Sequence, residues 1–186
     1  KALSVRLGRA RFDEIRSLAE FDFRYNPQLP VQMIRDLASC GFVERAESVV
    51  ICGPVGVGKS HVAQAIGHAA CQRGYSVRYI KTSRMLGDLA GGHVAGNWEQ
   101  RMRAYTGADL LILDDFGLRD FDAQNSEDLF ELICERHLKR STLVVSNRPP
   151  QEWHALFANP VLAEGALDRL VNSSHHVLME GRSYRS

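Results

Sequence analysis

Gly53-Pro54-Val55-Gly56-Val57-Gly58-Lys59-Ser60 is the stretch on which the fold turns. Its pattern, G-x-x-x-x-G-K-[ST], is that of a phosphate-binding loop. Glycines let backbone N–H groups turn inward around an anion, the lysine reaches the β and γ phosphates, and the hydroxyl ligates Mg²⁺. The flanks fit this reading. Ser48 to Cys52 is a short apolar run suited to a buried parallel strand, and from Lys59 onward Val62, Ala63, Ile66, Ala69 and Ala70 recur at helical spacing. Gly53, Pro54, Val55, Gly56, Val57, Gly58, Lys59, Ser60 and the following His61 are the expected nucleotide-binding residues.

About fifty residues downstream, Asp109-Leu110-Leu111-Ile112-Leu113-Asp114-Asp115 reads as a strand buried on both faces that ends in two carboxylates. That end is where open α/β sheets bind their ligands. Asp114 is expected to hold Mg²⁺ together with Ser60, and Asp115 to orient or deprotonate an attacking water. A third strand, Ser141 to Ser146, delivers Asn147 to the same edge, within reach of a γ phosphate or that water. Strands at Ser76 to Lys81 and His175 to Met179 complete five. Their alternation with helices predicts a mainly parallel sheet with right-handed crossovers and a minimal or absent helical lid.

Between these strands the punctuation is plainer. Residues 3 to 24 read as a basic amphipathic helix with Leu7, Phe12, Ile15 and Leu18 on one face, and Phe21 to Tyr25 as an extended connector. Val31 to Cys40 reads as a short helix closed by Gly41. A helix from Thr82 or Ser83 to about Ala90 is followed by a flexible glycine loop, residues 91–96, and Asn97 is placed to cap the next helix. Residues 1–45 are taken as an N-terminal helix and connector packing on a core spanning 46–186, within one structural domain.

Bulk charge, at +1, excludes nothing, but its distribution is uneven. Residues 109–135 carry nine acids against Arg119, whereas residues 73–103 carry six Lys or Arg against Asp88 and Glu99. Arg78, Lys81, Arg84, Arg101 and Arg103 are the candidate DNA face, since non-specific binding is mostly phosphate neutralisation. The four cysteines, at positions 40, 52, 71 and 134, show no metal-binding spacing and read as small core residues in a reducing cytosol. No apolar run is long enough to cross a bilayer, so the expectation is a cytoplasmic protein with no membrane partner. The chain begins at Lys1, as a piece of a longer protein would.

Gly53 to Ser60, Leu110 to Gly117, Ser146-Asn147-Arg148-Pro149, Trp153, Asp168-Arg169-Leu170 and Ser183-Tyr184-Arg185 together resemble the IstB branch of the DnaC/IstB helicase-loader and transposition-helper AAA+ ATPases. The resemblance runs from about Arg11 to Arg185. It implies a P-loop AAA+ core that binds and hydrolyses ATP with Mg²⁺, self-associates through nucleotide-bridged interfaces around duplex DNA, and assists a transposase in choosing target DNA. Matched position by position, Asn147 is the first sensor, Arg169 the arginine finger offered to a neighbouring subunit, and Arg185 the second sensor. Two departures limit the match: Asp114-Asp115 stands where many AAA+ proteins have Asp-Glu, and the family's N-terminal partner-contact region is largely missing. The alternative is a replicative helicase loader that binds a helicase and single-stranded DNA. A small-molecule kinase would share the loop, but the paired aspartates, Asn147 and late Arg169 suit water activation better than transfer to a bound acceptor.

Overall fold

A computed structural model describes residues 2–181 and 183. Five strands, β1 (Val49–Cys52), β2 (Val77–Lys81), β3 (Leu110–Asp114), β4 (Ser141–Ser146) and β5 (His175–Leu178), form one sheet in the order β2-β3-β4-β1-β5. Every pairing is parallel, with Cys52 beside Ser146 and Lys81 beside Asp114. Each strand therefore returns through a helix, and all five C-terminal ends lie on one edge.

Side chains alternate between the two faces of a pleated strand. Val49, Ile51, Leu110 and Ile112 accordingly enter one buried core, while Val50, Leu111 and Leu113 enter the other. The first core is covered by α1 (Ala2–Ala10), α2 (Val31–Ala38), α3 (Gly41–Glu44) and α4 (Lys59–Gln72); the second by α5 (Thr82–Ala95), α6 (Trp98–Thr106), α7 (Ala123–Arg136) and α8 (Pro160–Leu170). From the segment before Arg45, Ala10, Phe21, Leu29, Ile34, Leu37 and Phe42 are buried in the first core.

Three local expectations are corrected. The N-terminal helix stops at Ala10, because Arg11 adopts a left-handed φ of 56°; the chain then turns back through a single 3-10 turn, Leu18–Glu20, and leaves Ile15 exposed. Cys40, at φ 66°, ends the second helix, and Gly41 instead begins the next. The glycine loop at 91–96 is helical: α5 continues to Ala95 and ends at Gly96, φ 79°. Packing explains this, since a Cβ on Gly92 would lie 2.8 Å from Trp98 Cα, so the glycine is what lets α6 cross this close. Asn97 occupies the N-cap position of α6 without a side-chain cap bond.

A buried arginine staples the second layer together. Arg136, 1% exposed, donates to the carbonyls of Tyr105, Ala108 and Ser141 at 2.8, 2.8 and 2.6 Å and to Thr142 Oγ1 at 3.0 Å. Burial lowers its pKa from the ordinary guanidinium value.

Candidate nucleotide site

The loop between β1 and α4 and the ends of β3 and β4 meet in a cleft of about 680 Å³. Gly58 sits at the N-cap of α4 with φ 96°, a backbone that a side chain would strain, and the helix N-terminus faces the cleft. Lys59 is 6% exposed and donates to Pro54 O at 2.6 Å, so its ammonium is folded within the loop. Ser60, Asp114, Asp115 and Asn147 line the same cleft. The sheet brings them together because β3, β4 and β1 are neighbours.

Asp114 is 2% exposed and held on three sides. Its Oδ1 accepts from Asp115 N at 2.8 Å, its Oδ2 accepts from the Tyr79 hydroxyl, and its carbonyl accepts from Thr82 Oγ1 at 2.9 Å. Burial, then the bond to Asp114, push the Tyr79 phenol far above its ordinary pKa, so it remains a donor. Asp115 adopts φ 52°, a left-handed conformation that aspartate tolerates better than most residues and that recurs at functional sites. Ser146 joins the two strand ends: its hydroxyl donates to Phe116 O at 2.6 Å and accepts from Arg148 N at 3.0 Å.

The donor set suits a divalent cation that takes few of its ligands from the protein. Among the described residues no group of three or more His, Cys, Asp or Glu could enclose a metal. Ser60 and Asp114 supply one hydroxyl and one carboxylate, the pattern of Mg²⁺ that completes its shell with water and nucleotide phosphates.

The remaining expected site residues fall in separate places. His61 lines the cleft, but its ring turns to the N-terminal segment, edge-on to Phe21 at 5.0 Å and 3.3 Å from Ser17 O; burial lowers its pKa. Arg169 stands on α8, donating to Gly165 O at 2.8 Å and lying 6.0 Å from the Phe130 ring. Arg185 lies outside the described residues. Of the basic candidates, Arg78, Lys81 and Arg84 gather with Arg11 around a cavity of about 170 Å³ beside edge strand β2. Arg101 is instead tied to Asp88, at 3.0 Å from its carbonyl and 3.2 Å from its carboxylate, and Arg103 lines another cavity with Trp98. Sequence reasoning missed Arg16, Glu20 and Phe21 as cleft residues; their only signal was that the aromatics of this segment need somewhere to bury.

A model of the IstB-like ATP binding protein family matches residues 1–186. The chain belongs to the IstB-like family. This IstB-like chain is 53% identical over 185 residues to a relative from Mycobacterium tuberculosis named as an ATP-binding protein in an insertion sequence, covering 99% of the chain and 74% of the relative. It is 33% identical to a protein named as the ATP-binding protein of insertion sequence IS21 from Pseudomonas aeruginosa, covering 100% of the chain and 70% of that relative. Among solved structures, the replication initiator DnaA bound to AMPPCP and single-stranded DNA superposes with a TM-score of 0.75 at 20% identity, covering 92% of this chain but only 52% of DnaA. The DnaC helicase loader superposes at 0.66 and 18% identity, covering 80% and 87%. At these identities the two establish the fold alone, a five-stranded parallel α/β core.

Proposed function

We propose that this IstB-like chain is an Mg²⁺-dependent ATPase that self-associates on duplex DNA and serves a transposase in selecting target DNA. The observation that carries the reading is the convergence of Lys59, Ser60, Asp114, Asp115 and Asn147 on one cleft at the carboxyl edge of a parallel sheet. The insertion-sequence relatives support the setting in transposition.

In this reading Lys59 and the α4 N-terminus bind the phosphates, and Ser60 and Asp114 hold Mg²⁺. The cation, when bound, neutralises charge on the phosphate oxygens. Asn147 orients a water against the γ phosphorus and Asp115 accepts its proton, while the bond to the bridging oxygen breaks and ADP leaves. Arg169, set apart on α8, serves a neighbouring subunit, where a guanidinium offsets transition-state charge and makes the nucleotide a bridge between subunits. The basic cluster beside β2 offers phosphate contacts to DNA.

ATP turnover per subunit, measured across protein concentrations without DNA, with duplex and with single strands, tests the proposal. A steep rise with concentration and with duplex is expected. Flat, DNA-independent turnover would sink the shared site, and stimulation by single strands alone would replace the transposase with a helicase as the partner.

A further inference from the structure

Tyr79 is a buried tyrosine that the proposed reaction leaves unused. It lies on β2, whose register places Tyr79 beside Ile112 and Lys81 beside Asp114. Tyr79 and Asp114 are thus on the same face but offset by two residues, about 7 Å along the strand. An aromatic ring is long enough to span that offset, and its hydroxyl ends on Asp114 Oδ2. The same hydroxyl is 3.3 Å from Asp13 Oδ2 in the turn after α1. A phenol has one proton, so the closer acceptor, Asp114, takes it. The ring is pinned in turn by its burial in the first core and by Phe12, 6.2 Å away between centroids.

We propose that Tyr79 is a positioning residue of the nucleotide site: its hydroxyl fixes the Asp114 carboxylate in the rotamer that meets the nucleotide's divalent cation. This rests on the reading of Asp114 as the metal carboxylate. With Asp115 N on Oδ1 and Tyr79 on Oδ2, both torsions of the side chain are set before any ligand arrives, and the carboxylate's free lone pairs are left for the cation or its waters. Without the hydroxyl, only the Oδ1 bond remains to orient the group.

The test is Mn²⁺ affinity of the complex with a non-hydrolysable ATP analogue, read by electron paramagnetic resonance, in the wild type and in Tyr79→Phe. The variant is expected to bind metal several-fold more weakly while its affinity for the analogue without metal is unchanged. Unchanged metal affinity, or equal loss of both, would overturn the assignment. Asp114→Asn and Asp114→Asn/Tyr79→Phe close a double-mutant cycle with the wild type and Tyr79→Phe, each variant first shown to melt cooperatively: the second substitution should add nothing in the Asn background, and a further several-fold loss there would place the tyrosine's action elsewhere. If Asp114→Asn itself leaves metal affinity intact, the underlying reading of the site fails instead, and the two failures are distinct.

Discussion

Arg169 and His61 carry their meaning in where their side chains point. The Arg169 guanidinium is half-buried against its own helix, over Phe130, rather than on the cleft of its own chain. Arg169→Ala is expected to bind ATP within about two-fold of the wild type and to lose hydrolysis by roughly 10³-fold. Mixing it with Lys59→Ala should restore part of the turnover, because one variant then supplies the arginine and the other the intact loop; no restoration would argue against action across an interface. His61 is a pH question. Burial lowers its folded-state pKa, so below the ordinary imidazole value of about 6.5 the unfolded chain takes up the proton first. Its contribution to stability is full above that pH and is lost as pH falls through the lowered folded value. The melting temperature should drop between pH 7 and pH 5 by more in the wild type than in His61→Gln, and equal drops would remove the residue from the pH response.

At the scale of elements, the α5–α6 pair shows how a local rule is overridden. Two adjacent glycines ordinarily weaken a helix by about 1 kcal/mol each relative to alanine, so Gly91-Gly92 reads as a break. Contact between the helices reverses the preference, since Gly92 is buried and a methyl group there would collide with the backbone of Trp98. Gly92→Ala is therefore expected to destabilise the fold by about 1–3 kcal/mol despite its better helix propensity. Urea unfolding measures the sign directly, and a gain in stability would mean that α6 yields without strain. The first helix fails in the opposite direction. The pattern through Phe12 and Leu18 looked continuous because those side chains do pack on the first core, but they reach it from turns after Arg11.

Across the whole molecule, the charge asymmetry of the sequence becomes geometry only in part. Arg78, Lys81 and Arg84 collect beside β2 with Arg11, a residue from far earlier in the chain, while Arg101 is consumed by Asp88. If this cluster is the DNA face, the double variant Lys81→Ala/Arg84→Ala should weaken duplex binding and reduce the slope of log K against log salt by roughly 2. An unchanged slope would move the face elsewhere. The five strands, their order of appearance and the meeting of the glycine loop with two carboxylates at one sheet edge were all legible beforehand, because apolar runs, glycine loops and terminal carboxylates are local patterns with strong chemical preferences. Tyr79 was not legible, nor was Arg136: a tyrosine in a strand and an arginine in a helix look ordinary until a partner is known, and their partners come from other strands and loops. The sequence by itself determined that a phosphate loop and two aspartates would share the edge of a parallel sheet. Only the tertiary structure decided which side chains hold Asp114, which cations stand together, and that Arg16, Glu20 and Phe21 line one side of the cleft, because these depend on contacts between segments far apart in the chain that no local preference encodes.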